Sequence, residues 1–195
     1  MQKYNDAINI CLQVIGEQVL EGSQALTGIY EAEIADSIIE ATKDEILSEG
    51  WSFNTDTNWT MVPDTSGYIA VSPSVLRIDP SDVTVKVVRK DGKLYDKENR
   101  TYVFSASVDC DIVWSLDFDD IPLAMQQYIV LRSARILYQR LVGDANMLEV
   151  LIRDEKDARL RVDTHEDEVN DYNIFDNSDV MRMITRTSNP RGIRG

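Results

Sequence analysis

The groups best suited to covalent chemistry are scarce in this chain: one histidine, His165, and two cysteines, Cys11 and Cys110. Nucleophilic catalysis needs a base beside the nucleophile. His165 has no serine or cysteine near it in sequence, and it falls on the seam of a charged helix, where packing against a neighbouring helix accounts for it. A pH switch at such an interface is the functional alternative. A structural zinc site needs clustered Cys and His ligands, and there are too few of either. Two distant cysteines make no disulfide framework and point to a reducing compartment. No glycine-rich phosphate loop follows a strand.

Carboxylates are plentiful. Asp109 and Asp111 alternate onto one face of a strand, and Asp117, Asp119 and Asp120 cluster before a helix. Such a group could hold a divalent cation, but the spaced acids and glycine of a calcium loop are missing. Helix capping accounts for Asp119 and Asp120 without a metal. An acidic hydrolase using Asp109, Asp111 or Asp117 is the enzymatic alternative. No catalytic residue, metal or cofactor is assigned, and the expectation is a protein that is not an enzyme. Asn58-Trp59-Thr60 and Asn99-Arg100-Thr101 match the glycosylation pattern, but without a signal peptide these are chance matches.

The charge balance narrows the classes further. Twenty basic against 34 acidic residues give −14 in 195 residues. General nucleic-acid binding needs a basic footprint, so it is excluded. Residues 180–195 carry Arg182, Arg186, Arg191 and Arg194 and no acid, which leaves −18 on the remainder. A basic arm on an acidic body suits docking on an acidic surface. The stretch from Leu123 to Val142 is about long enough to span a bilayer, but Arg132, Arg135 and Arg140 make it a soluble helix and exclude a membrane role.

The elements that position these residues follow from periodicity. The spacing of Ile8, Cys11, Leu12 and Ile15 predicts a helix over 5–17. A second runs from Ile29 to Glu49, with Ala35, Ile38, Ile39, Thr42 and Ile46 on its apolar face and Gly50 as its stop. Residues 51–116 alternate in β-branched runs: Thr57 to Val62, Tyr68 to Val71, Val75 to Ile78, Val83 to Arg89, Leu94-Tyr95, Tyr102 to Ser105 and Asp111 to Leu116. Asp91-Gly92 between two such runs marks a hairpin tip, Lys90 to Lys93. Pro122 is placed as a first helical residue capped by Asp119 or Asp120. That helix ends at Gly143, and Asp144 caps a last helix reaching Val169. On it Leu148, Leu151, Glu155, Ala158, Val162, His165 and Val169 form a heptad stripe with two polar members, Glu155 and His165. Its outer face predicts the pairs Arg153–Asp157, Glu155–Arg159 and Asp157–Arg161. Trp51, Phe53 and Trp114 mark the junction of sheet and helices. The fold class expected is α+β: a bundle of four main helices, an inserted antiparallel β-rich part, and an extended arm. The divisions are 1–50, 51–116, 117–175 and 176–195.

The order of features is also familiar. Ala7-Ile8-Asn9-Ile10-Cys11-Leu12 and Ile15-Gly16-Glu17 open the chain, and a long helix runs into Gly50-Trp51-Ser52-Phe53-Asn54. The inserted sheet ends at an Asp-rich Ile121-Pro122. Tyr128, Ala134-Arg135, Tyr138 and Arg140 precede Gly143, and Glu155, Ala158-Arg159 and Asp171-Tyr172-Asn173 follow. This resembles the tail tubular protein A family of short-tailed bacteriophages, over residues 5 to about 176. Gln18-Val19 stand where a proline is expected.

The resemblance implies a structural virion protein, a head-to-tail adaptor present in about twelve copies as a ring. Its implied partners are the portal protein, the tail nozzle (tail tubular protein B) and a tail fibre or spike, with DNA passing through the channel unbound. It would be assembled in the host cytoplasm and reside in the virion tail. A connector of a long-tailed phage is the alternative within this class. On this view Arg182, Arg186, Arg191 and Arg194 dock on the portal or a neighbouring subunit. Lys90, Asp91, Gly92 and Lys93 meet nozzle or fibre, and Glu155 and His165 sit at a helix or subunit interface. Acids facing the channel would repel phosphate.

Overall fold

The structure, a computed structural model, describes residues 4–20 and 28–176, the last helix by its backbone alone from residue 170. In chain order the elements are α1 (Tyr4–Ile15), α2 (Tyr30–Leu47), β1 (Thr55–Met61), β2 (Val75–Pro80), β3 (Val87–Lys90), β4 (Lys93–Asp96), β5 (Val108–Trp114), a 3-10 turn (Phe118–Asp120), α3 (Leu123–Leu141) and α4 (Ala145–Asp176). The architecture is α+β: four helices with small antiparallel sheets lying between α2 and α3 in sequence.

Helix α3 is the axis. Met125, Gln126, Tyr128, Ile129, Val130, Ser133, Ala134, Leu137 and Tyr138 are all buried, which covers nearly its whole circumference. Helices α1, α2 and α4 each pack on it. The shared core takes Ile8, Cys11 and Leu12 from α1, Ile39, Ile46 and Leu47 from α2, and Ala158 and Val162 from α4. Each large apolar side chain so buried contributes about 1.5–3 kcal/mol. Tyr4 seals one end: its hydroxyl donates to Asp36 at 2.8 Å, and its ring meets Phe118 edge-on at 5.4 Å.

The strands hold a second, smaller core of Met61, Ile69, Val71, Val75, Val87, Leu94, Cys110 and Ile112. One sheet has the order β1-β5-β2, all antiparallel, and β3 pairs with β4 as a hairpin. Burial pushes the Cys11 thiol up to about 12. Burial, with help from Asp109, Asp111 and Asp79, pushes Cys110 up to about 11. Both stay protonated near neutrality and pack as small apolar groups.

Several local expectations need correction. Tyr68 to Val71 and Tyr102 to Ser105 form no strands; they touch their neighbours through the single bridges Tyr68–Val103 and Ala70–Lys93. The run from Val83 becomes a strand only at Val87, one residue after Lys86 O accepts from the Lys97 amide at 2.8 Å. The Asp82 carboxylate accepts from the Thr84 amide and hydroxyl at 2.8 and 2.7 Å, so a side chain takes the backbone donor that a strand would use. Pro122 is the residue before α3 rather than its first, and no side chain caps that helix. Asp119 and Asp120 lie in the 3-10 turn, held by the Gln126 amide, which donates to Phe118 O and Ile121 O at 2.9 Å each. Helix α4 continues past Val169 to Asp176. By contrast, Asp144 does cap α4, accepting from the Met147 amide at 3.0 Å, and Gly143 takes the left-handed conformation, φ 74°.

Candidate functional site

Asn54 ties the backbone at Trp51, after α2, to that at Trp114, the end of β5. Helix α2 ends where Gly50 turns left-handed, φ 83°. The chain then folds Trp51 under the helix end, where its indole N–H donates to Ile46 O at 2.8 Å. Asn54 is only 2 % exposed. Its Oδ1 accepts from the Trp51 amide at 2.8 Å, and its Nδ2 donates to Leu47 O at 3.0 Å and to Trp114 O at 2.8 Å. The Trp114 amide returns a bond to Asn54 O at 2.9 Å. One buried amide therefore joins the end of α2 to the end of β5, with both of its hydrogens donated and its oxygen accepting one bond.

Neighbouring side chains brace the same point. Arg77 of β2 donates to Ser48 O and Glu49 O at 3.1 and 3.2 Å, satisfying carbonyls that the helix end leaves free. Ser115 donates to Asp44 at 2.6 Å. Phe53, half-buried, packs on the helical core. Trp114 donates to Asp56 at 2.8 Å and meets Trp59 edge-on at 6.1 Å.

Helix α4 closes over the junction. The Arg159 guanidinium lies 4.8 Å from the Trp51 ring centre and 5.6 Å from that of Tyr128, while it pairs with Glu49 at 2.9 Å and Asp163 at 2.9 Å. Glu166 accepts from the Ser52 amide and hydroxyl at 2.7 and 3.0 Å.

Along the heptad stripe of α4, Leu148, Glu155 and Val169 are half-buried and His165 alone is exposed. Leu151, Ala158 and Val162 are buried. Glu155, with its side chain 15 % exposed, pairs with Arg135 of α3 and lies 3.9 Å from Arg132, which itself bonds Glu45 of α2 at 2.6 Å. Four charges of alternating sign thus cross three helices. His165 is exposed. The predicted pairs Arg153–Asp157, Glu155–Arg159 and Asp157–Arg161 do not form among the described residues. Glu155 and Arg159 are drawn inward to α3 and to the α2 end, and Arg153 lies 4.0 Å from Asp154.

The hairpin tip has the expected turn, with Asp91 and Gly92 at φ 52° and 70°. Its lysines are occupied. Lys90 lies 5.0 Å from the Tyr95 ring centre and Lys93 lies 3.8 Å from that of Tyr68, while the Tyr102 hydroxyl donates to Asp91 at 2.9 Å. The tip is a clasp of cations and rings, folded onto residues 69–71 through Val71 N to Gly92 O and Leu94 N to Ile69 O.

Of the carboxylates considered for catalysis, Asp109 and Asp111 are bonded to β1. Asp109 accepts from the Thr60 hydroxyl at 2.6 Å and Asp111 from the Asn58 amide at 2.9 Å, where β1 bulges and Asn58 turns to φ 53°. Among the described residues no three His, Cys, Asp or Glu side chains are grouped to hold a metal, and no helix is long and apolar enough to cross a membrane. Arg182, Arg186, Arg191 and Arg194 lie outside the described residues.

Sequence reasoning missed Asn54, Arg77, Arg159 and Glu166 as junction residues. A signal existed for Asn54, which closes the Gly50–Asn54 motif. None existed for the others, whose partners are distant in sequence. A family model described as tail tubular protein matches residues 5–172. Tail tubular protein A of Klebsiella phage KP34 is 29 % identical over 142 residues, covering 72 % of this chain and 75 % of that protein.

Proposed function

Because the chain belongs to the tail tubular protein family, we propose that it is the adaptor that joins the head portal to the tail nozzle, as a ring of about twelve copies around the DNA channel. It is a structural protein of a phage virion tail, associated there with other tail components. The adaptor role goes further, and one observation carries it: the family match extends across both the helical and the β-rich parts.

The geometry suits that role. A ring that transmits load needs subunits that do not flex internally. The Asn54 junction and the Arg159 brace tie the two parts by buried hydrogen bonds and ring contacts rather than by a loose linker. The division into 1–50, 51–116, 117–175 and 176–195 belongs to this reading. So does an acidic channel wall that repels the DNA backbone.

Within it, the basic arm with Arg182, Arg186, Arg191 and Arg194 docks on portal or neighbouring subunit. Lys90 to Lys93 face nozzle or fibre, and Glu155 and His165 lie near subunit contacts. His165 is the better placed of the two, being exposed. Negative-stain imaging of the purified chain, alone and mixed with its portal, tests the proposal. Rings that cap the portal are expected. A chain that neither forms rings nor binds the portal overturns it.

A further inference from the structure

The β-rich part carries its basic charge in one place. Six of the seven lysines and arginines in residues 51–116 fall on the β3–β4 hairpin and the turn after it: Lys86, Arg89, Lys90, Lys93, Lys97 and Arg100. Against three acids they leave +3 on residues 86–100 and, from −14 overall, −17 on the remainder. None of the six takes part in a salt bridge among the described residues. Two of the three acids are turned to neutral donors instead. Asp91 accepts from the Tyr102 hydroxyl at 2.9 Å, and Asp96 from the Glu98 and Asn99 amides at 2.8 and 2.9 Å.

This arrangement works against the hairpin's own stability. Lys90 and Lys93 are direct partners in the register, and at the open end the Lys97 amide donates to Lys86 O at 2.8 Å. Like charges set opposite each other on paired strands are destabilising. Val87 and Leu94 turn into the strand core, so alternation puts Val88, Lys90, Lys93 and Tyr95 on the outer face. There the rings of Tyr95, Tyr102 and Tyr68 hold Lys90 and Lys93. Lys86, Lys97 and Arg100 are exposed, and no ring or carboxylate of the described residues holds them.

An anion would relieve the repulsion, and the geometry selects its kind. Tyr95 and Tyr68 each already carry a lysine on the ring, and Tyr95 meets Tyr102 edge-on at 4.9 Å, so the rings are no open platform for a nucleobase or a sugar. Each strand has four residues, about 13 Å. A long polyanion such as DNA would overrun that length onto a surface of the same sign as itself. A short run of carboxylates ends where the patch ends.

We propose that the outer face of β3–β4, with Lys86, Lys97 and Arg100 beside the lysine–tyrosine clasp, binds a short Asp- or Glu-rich segment of another tail component. The proposal deepens the reading of this hairpin as the nozzle or fibre contact and rests on it for the partner's identity. The affinity for an acidic segment is a property of this chain alone.

Fluorescence anisotropy tests it, with the full chain titrated into a labelled peptide of about ten glutamates at about 50 mM salt. Binding is expected, and it should weaken as salt rises to about 500 mM. The variant Lys86→Gln/Lys97→Gln/Arg100→Gln should bind at least about fivefold more weakly, each exposed charge contributing a modest share. Lys86→Arg/Lys97→Arg should bind as wild type does. So should Lys156→Gln/Arg161→Gln, which removes exposed charge from α4. Circular dichroism checks the fold of each; if the triple variant is not folded, Lys86→Gln and Lys97→Gln are read singly, with a loss of about twofold expected in each. A wild-type chain that does not bind the peptide overturns the proposal. So does a triple variant that binds it equally, an α4 variant that loses as much, or a single-stranded thymidine oligomer of the same length that binds as tightly. Self-association that the triple variant abolishes would give the face to a second copy and overturn the choice of partner. Nozzle and fibre proteins captured equally by wild type and triple variant, with peptide binding lost in the latter, would remove the hairpin from those contacts and leave the acidic-segment site standing. Capture lost in the triple variant, with peptide binding unchanged, would do the opposite.

Discussion

The Arg159 guanidinium lies 4.8 Å from the centre of the Trp51 ring, so a residue of the last helix covers the tryptophan that follows the Gly50 turn. The two are far apart in sequence, and the contact fixes α4 against the junction. With the Arg159 side chain 34 % exposed, stacking contributes about 1 kcal/mol and the Glu49 pair less than that. Arg159→Ala should lower stability by about 1–2 kcal/mol and change the emission of Trp51. Arg159→Lys should recover only part, because ammonium keeps the charge and loses the flat face. Urea denaturation followed by fluorescence measures both, and equal stability of the two variants would assign the effect to charge alone.

Asn54 offers a larger effect. Asn54→Ala strands Leu47 O, the Trp51 amide and Trp114 O in a buried place. Each orphaned group costs about 1–3 kcal/mol, partly recovered by relaxation or an entering water. A loss of about 3 kcal/mol is expected by calorimetry. Asn54→Asp should fare no better, since a carboxylate can accept but cannot donate to the two carbonyls. A loss under about 1 kcal/mol would mean that water substitutes for the side chain.

These two residues also show what was legible in the chain. Helix limits, the Gly50, Gly143 and Asp91-Gly92 turns, and the buried half of the α4 stripe follow from local spacing and glycine chemistry, which neighbouring residues decide among themselves. The strand limits at Val83 and Tyr68 were not legible, because a single Asp82 side chain or a turn outcompetes β propensity. Nor were the charge partners on α4. Local spacing offers Glu155 to Arg159, whereas packing delivers Glu155 to Arg135 and Arg159 to Trp51. A four-residue pair on an exposed face contributes only a few tenths of a kcal/mol, so any tertiary partner displaces it. The junction combines both limits: its glycine and tryptophan are visible in the motif, and Arg77, Arg159 and Glu166 arrive only through the fold.

Glu155 is the hub of the charge network, and Glu155→Gln tests its weight. The substitution keeps shape but leaves Arg135 and Arg132, with side chains 20 % and 25 % exposed, without their shared counter-ion. Removing one partner of a largely buried pair costs up to about 3 kcal/mol, less here because solvent reaches both arginines. A loss of about 1–2 kcal/mol is expected in denaturant unfolding. The double variant Glu155→Leu/Arg135→Leu, which removes the pair outright, should regain most of it. A double variant weaker than Glu155→Gln would show that Arg132 needs Glu155 as well.

Two glycines with the same backbone sign separate strain from crowding. At Gly92, φ 70°, an added Cβ meets nothing within 4 Å, so Gly92→Ala should cost only the left-handed backbone penalty, about 1–2 kcal/mol. At Gly50, φ 83°, the same Cβ would lie 2.9 Å from the Arg77 Nη2 and 3.3 Å from Val113. Gly50→Ala must also push Arg77 off Ser48 O and Glu49 O, and should cost about 1 kcal/mol more than Gly92→Ala. Equal losses in thermal unfolding would mean that Arg77 swings aside freely.

The nozzle contact proposed for the hairpin tip is separable from the tip's stability through its two lysines. Lys93, half-buried, lies 3.8 Å from the Tyr68 ring centre, whereas Lys90 is exposed and lies farther from its rings, 5.0 Å from Tyr95 and 6.0 Å from Tyr102. Lys93→Glu should therefore loosen the tip, seen as faster hydrogen exchange at the Leu94 and Val71 amides that fold it onto residues 69–71. Lys90→Glu should leave those amides protected and still weaken capture of the nozzle protein in a pull-down at low salt, because a rim charge acts through the approach of the partner. Unchanged capture by Lys90→Glu, with the tip intact, would remove this hairpin from the nozzle contact.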